Sequence, residues 1–157
     1  MDAARFAFLY RQAEGRVDAP TWRRAALAPV ALAALMTLVW IAIAPAGPRD
    51  MATEPFFDWR SVAIFSYFLA YVLVLLLCAV AYYFVSAKRF ADLGLAQEWA
   101  GLALMALFLA GAGHWYQPRS EGAMPQWAAW LLDALALAAA LWTAARLAYG
   151  RGAAAAS

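Results

Sequence analysis

The sequence predicts an all-α membrane protein of four transmembrane helices preceded by a short N-terminal amphipathic helix at the interface, and three observations carry that reading. The chain is 67% apolar and 14% charged, where soluble domains average roughly 45–50% and roughly 25%, and 157 residues enclose too small a core to hide so much apolar surface. Four windows, near 25–47, 61–87, 99–116 and 127–149, run almost free of charge for the roughly 20 residues that about 30 Å of hydrocarbon requires. Lys and Arg then divide unequally between the two sides that these windows define. The chain is accordingly read as a cytoplasmic interfacial segment over 1–22, a transmembrane domain over 23–149 and a disordered tail over 150–157.

In the N-terminal segment Phe6, Leu9, Tyr10 and Ala13 recur at i, i+3, i+4 and i+7, with Arg5, Arg11 and Glu14 elsewhere on the wheel. A short helix lying on the headgroups is expected, with Gly15 as its stop; a mobile tail is the alternative. The first window follows Asp18-Ala19-Pro20, a cap and a proline suited to a helix start, and closes at Pro45 and Pro48. Pro29 inside it is a candidate kink. Ala44-Pro45-Ala46 imitates a cleavage site, but the apolar run before it begins late, at Ala25, and exceeds the about 7–15 residues of a signal h-region, so a retained span is expected.

The second window is the longest and clusters aromatics at its ends, Phe56, Phe57, Trp59 and Tyr67 on one side and Tyr82, Tyr83 and Phe84 on the other, as interfacial belts do. The third is just long enough to span. Ala106 and Ala110 in it, and Ala136, Ala140 and Ala144 in the fourth, are small residues suited to close helix packing.

Nine cations (Arg5, Arg11, Arg16, Arg23, Arg24, Lys88, Arg89, Arg146, Arg151) fall on one side of this layout and three (Arg49, Arg60, Arg119) on the other, which places both termini in the cytoplasm. The net charge of +2 is dispersed and forms no track for a nucleic acid. Cys78 is the single cysteine, so neither an intramolecular disulfide nor a thiolate metal cluster is available.

Candidate functional residues form two groups. Arg16, Arg23, Arg24, Lys88 and Arg89 gather on the cytoplasmic face, where cations beside a span attract anionic headgroups. In the same loop Asp92 pairs locally or caps the turn and Gly94 allows a left-handed bend, although a plain positive-inside hairpin needs no more than this. The second group is Asp133, an acidic residue within a span, and His114, which shares its periplasmic layer if the last two windows form a hairpin. Two side chains fall short of a zinc site, leaving a polar interfacial pair or a proton or ion site. The chain shows no nucleophile elbow, glycine-rich phosphate loop or paired loop carboxylates, so neither enzymatic activity nor a cofactor is expected.

Lys88, Arg89, Asp92, Gly94 and Trp99 in order, with Phe8, Gly15, Arg16 and Trp22 ahead of the first span, resemble a divergent member of the DUF805 family of small bacterial inner-membrane proteins, which has no assigned function. Ala91 stands where the family loop has His, Ala96-Gln97-Glu98 where it has Ser-Gly-Trp, and Ala19 where a second Arg follows Gly-Arg. The resemblance implies four spans in a bacterial inner membrane and no catalytic residue. The function expected is binding of membrane lipid headgroups, a membrane-protein partner or a second copy of the chain through the basic face. The alternative is a small transporter or ion conduit using Asp133, and an enzyme acting on lipid ranks third.

Overall fold

The computed structural model describes residues 2–44 and 58–152, and the regular structure among them is helical throughout. The expectations placed on Pro45, Pro48, Arg49, Phe56, Phe57 and the tail from 153 to 157 lie outside the described residues.

Helix α1 (Ala3–Tyr10) begins because the Asp2 carboxylate accepts the Arg5 N–H at 2.7 Å, filling one of the donors that every helix start leaves open. It ends at Tyr10, well short of Gly15, which the chain uses instead for a turn at φ +107°. Helix α2 (Ala19–Ile43) starts at the expected Asp18-Ala19-Pro20, ahead of the apolar window that opens at Ala25: Asp18 accepts the Thr21 N–H at 3.0 Å and Pro20 occupies the first turn, where a missing N–H costs nothing. Trp22, Arg23 and Arg24 are therefore helical, and α2 runs through Pro29 without ending.

Helix α3 (Trp59–Asp92) opens at Asp58, which accepts the N–H groups of Arg60 and Ser61. It extends past the expected end at residue 87, so the anticipated loop of Lys88, Arg89 and Asp92 is its last turn. Nothing in Lys88 to Asp92 breaks a helix; termination waits for Gly94, at φ +70°, with Gly94 N–H on Ala91 O and Leu95 N–H on Phe90 O, the paired bonds of a Schellman stop. A 3-10 turn (Gln97–Gly101) leads into α4 (Leu102–Tyr116), and α5 (Gln126–Tyr149) is the last helix among the described residues.

Helix α2 packs on α3 and α4 on α5, giving two hairpins, while α1 rests on α3. In the second hairpin buried positions recur every seven residues, Ala129, Ala136 and Thr143 on α5 and Ala103 and Ala110 on α4, the spacing of a close left-handed crossing. A Cβ on Gly113 would lie 2.5 Å from Leu132 Cδ1, so the helices approach over small residues. The seam departs from the expected stripe: Ala136 and Ala110 lie in it, whereas Ala144 is exposed. Seven-residue recurrence keeps one face toward a coiled partner, and a strict four-residue step walks off it.

Helices α2, α3 and α5, of 25, 34 and 24 residues, are each long and apolar enough to cross a membrane. Their mid-sections leave large apolar side chains exposed, among them Leu32, Leu35, Leu73, Leu76 and Leu137, which a membrane protein presents to lipid. Polar groups there turn inward. Tyr67, expected in an interfacial belt, donates its hydroxyl to Met36 O at 2.7 Å, and Tyr71 shares a hydrogen bond with Thr37 at 3.2 Å, since a hydroxyl in hydrocarbon must find a protein acceptor. The main buried cluster lies at one end of the bundle, here called the basal end, where Leu9, Val17, Trp22, Val85, Phe90, Ala100 and Leu147 meet.

Candidate functional site

The basal end is organised by two adjacent cations at the end of α3. Lys88 is fully buried and Arg89 is 2% exposed, although a pair of this kind was expected to face headgroups. Successive residues of a helix point about 100° apart, so the two side chains reach different neighbours. Lys88 Nζ donates to Leu9 O and Phe84 O, both at 3.4 Å, and to Gln12 O, matching its three donors to three main-chain acceptors. The rings of Phe8 and Phe84 lie 5.1 and 6.0 Å from the ammonium, within cation–π range. Burial pulls the Lys88 ammonium below its ordinary pKa.

Arg89 donates through Nε to Leu147 O at 3.0 Å, and through its terminal nitrogens to Gly150 O and the Asp92 carboxylate. The logic of both residues is the same. Helices α1 and α5 end with carbonyls that no residue of their own helix can reach, at the negative end of the helix dipole. Lys88 supplies charged donors to the end of α1 and Arg89 to the end of α5, so both chain ends are tied to α3.

Aromatic and small side chains close the knot. Trp22 Nε1 donates to Ser86 Oγ at 3.2 Å, and the Tyr10 hydroxyl donates to Ala25 O at 2.9 Å; burial raises the Tyr10 pKa. A Cβ on Gly15 would meet the Phe8 ring at 2.7 Å, so the turn at Gly15 holds that ring near Lys88. Gly15→Ala is therefore expected to cost about 1–3 kcal/mol, from the positive φ and the contact together. A lowered thermal midpoint with faster tryptic cleavage after Arg11 and Arg16 would show it, and an unchanged pattern would remove the turn from the knot.

Sequence reasoning missed Tyr10, Trp22 and Ser86 as partners, and the one legible signal was the presence of Trp and Tyr beside small residues at a helix start. Phe8, Gly15, Trp22, Lys88, Arg89, Asp92 and Gly94, which carry the family resemblance, converge here, and Trp99 packs on Trp142 with ring centroids 5.7 Å apart. Arg16, Arg23 and Arg24 are instead exposed. The cations of this end thus separate into two that bind the protein itself and a set that faces outward. No family model, curated protein or solved structure matches the chain.

At the opposite end the structure brings together the other candidate pair. His114 Nε2 lies 2.9 Å from both carboxylate oxygens of Asp133, linking α4 to α5 directly beside the close approach of Gly113 to Leu132. The side chains are 52% and 46% exposed, on the outer face of the hairpin. Among the described residues no group of three His, Cys, Asp or Glu is placed to hold a metal ion. Arg119, stacked 4.6 Å over Trp115, donates to Trp115 O at 2.6 Å and completes a polar and aromatic rim. Asp133→Asn keeps an acceptor for His114 and is expected to shift stability by less than about 0.5 kcal/mol, whereas Asp133→Leu should lose about 1 kcal/mol. Thermal midpoints in one detergent compare the two, and a large loss with Asn would show that the charge itself is required.

Proposed function

We propose that the chain is a non-enzymatic, four-span integral protein of the bacterial inner membrane that binds anionic lipid headgroups through its basal end, which faces the cytoplasm with both termini. The observation that carries the reading is the outward charge of that end. Arg5, Arg11, Arg16, Arg23, Arg24, Arg146 and Arg151 are exposed there, whereas Asp2 and Asp18 cap helix starts and Asp92 holds Arg89. Hydrogen bonds from Thr21 hold the Asp18 carboxyl below its usual range, and helix dipoles oppose the charge of both caps. Glu14 and Glu98 are left as outward acids against those arginines.

Dimensions support the placement. At 1.5 Å per residue α3 is about 51 Å long, beyond the roughly 30 Å of hydrocarbon, so its last two turns project into the headgroup layer. Helix α4 contributes about 22 Å and the 3-10 turn before it about 10 Å more, which together reach across. The resemblance to the DUF805 family agrees with this topology.

Two measurements test the proposal. Reporter fusions after Asp92 and Ser157 should behave as cytoplasmic and fusions near Glu54 and Gly122 as periplasmic; a periplasmic C-terminus sinks the topology. Changing Arg5, Arg11, Arg16, Arg23 and Arg24 together to Gln should strip most anionic phospholipid from the purified protein, and undiminished retention would sink the binding role. A second reading, a transporter or ion conduit, is favoured by the His114–Asp133 contact. Proton- or ion-dependent flux in liposomes that disappears with Asp133→Asn would put it first.

A further inference from the structure

Between α1 and the first turns of α2 the structure has an open groove of about 320 Å³, lined by Arg5, Leu9 and Tyr10 on one wall and Thr21, Arg24 and Ala25 on the other. We infer that this groove is a binding site for one anionic phospholipid, its phosphate held between Arg5 and Arg24 and the start of an acyl chain lying along α2. The inference rests on the reading that the basal end faces the headgroups, and it deepens that reading by naming a site.

The lining is chemically divided in the manner of a lipid. It carries two guanidiniums and no carboxylate, and among the described residues neither guanidinium takes a hydrogen-bond or ion-pair partner within the protein. Planar guanidiniums suit phosphate oxygens in a way that a point charge does not. Arg11, by contrast, lies 5.8 Å over the Phe6 ring, while Lys88 and Arg89 are occupied inside the knot. The groove floor is already satisfied, since the Tyr10 hydroxyl bonds Ala25 O, so filling it strands no polar group.

Position argues for lipid over a soluble anion. Arg24 is the last charge before the apolar stretch of α2, and Leu27, 67% exposed, stands one turn further on, followed by exposed Val30 and Leu35. The groove is therefore continuous with the surface that faces hydrocarbon, so a headgroup seated on Arg24 has its acyl chain on Leu27 and Val30 without leaving the protein. Lys88 fixes the geometry at a distance, because it ties Leu9 O and Gln12 O and so holds α1 as a wall.

The test uses full-length protein in phosphatidylcholine nanodiscs containing phosphatidylglycerol, with bound phosphatidylglycerol counted by mass spectrometry. Arg5→Gln with Arg24→Gln should weaken it about 30-fold, which corresponds to about 2 kcal/mol at about 1 kcal/mol for each cation. Arg16→Gln with Arg23→Gln removes the same charge outside the groove and should weaken binding clearly less than the groove pair does, since those cations attract headgroups only through the general surface charge. Arg5→Lys with Arg24→Lys keeps the charge and should retain much of the binding, so loss through misfolding, read from the thermal midpoint, is distinguishable from loss of the site. Equal losses in the two Gln pairs would overturn the groove while leaving a diffuse basic collar. Undiminished binding in both pairs and in the fivefold Gln variant would remove the proposed function as well. Excess inorganic phosphate should not displace the lipid, and displacement by phosphate alone would reassign the groove to a soluble anion.

Discussion

Replacing Arg89 by Met is expected to lower stability by about 3 kcal/mol, because one change removes charged donors from a buried and a part-buried carbonyl and deprives Asp92 of its partner. The Met stem fills much of the arginine's volume, so the loss isolates the guanidinium. Leu147 O, buried, and Gly150 O, part-buried, lie at the end of α5, and without Arg89 the buried one loses its charged donor. Release of that end should speed tryptic cleavage after Arg146 and Arg151 ahead of global unfolding. Arg89→Lys should recover little, since an ammonium on a flexible stem does not reproduce a planar fork addressing Leu147, Gly150 and Asp92 at once. A thermal midpoint for Arg89→Met equal to wild type would show that the tie to α5 contributes nothing.

Lys88→Met is expected to cost about 2 kcal/mol, less than Arg89 because relief from burying an ammonium offsets part of the loss of its acceptors. Its effect appears on the other chain end: α1 should detach first, seen as cleavage after Arg11 and Arg16 and as a loss of phospholipid retention. Lys88 carries a pH signature as well. Burial lowers the Lys88 pKa from its ordinary value of 10.5, so across the interval between the lowered and the ordinary value the unfolded chain binds more protons than the folded one, and stability rises with pH. That contribution is complete above 10.5 and is lost as pH falls through the folded value. Measured against Lys88→Met, which lacks the group, the advantage of the wild type should widen toward alkaline pH. A difference that narrows there would mean that the folded state prefers the charged form.

These two predictions reverse the role that the pair would have as surface charges. A headgroup-facing Lys and Arg would change lipid retention and leave stability alone. Buried as caps on α1 and α5, they change stability first, and lipid retention follows only through the wall that α1 provides. The outward cations behave oppositely: Arg5, Arg16, Arg23 and Arg24 are exposed, and their loss should cost binding while the fold stays intact.

The apolar helices were legible in the sequence for a simple reason. Hydrocarbon demands that main-chain groups bond within their own segment, so a membrane helix is announced by length and lack of charge, both properties of the one-dimensional chain. Asp18 as a cap and Gly94 as a left-handed bend are equally local, each acting within about one turn of its own position, and Asp2 and Asp58, not read as caps, follow the same rule in the structure. The helix at the N-terminus was legible as well, although its end at Tyr10 was not, because Gly15 is drawn away to pack under Phe8.

What the tertiary structure alone decided is the destination of each charge. Lys88 and Arg89 read as an exposed basic pair because cations after an apolar run are most often solvated, and nearby in sequence they meet only Asp92 and the Phe84 carbonyl. Their other acceptors are Leu9, Gln12, Leu147 and Gly150, carbonyls nearly 60 to 80 positions away, identical in the sequence to every other carbonyl. A main-chain acceptor has no letter of its own, so composition and spacing carry no trace of it. Only when α1 and α5 dock on α3 do their unfilled ends meet the two cations. The same docking separates Arg5 and Arg24, whose guanidiniums meet no hydrogen-bond or ion-pair partner among the described residues, from the pair that the protein has claimed.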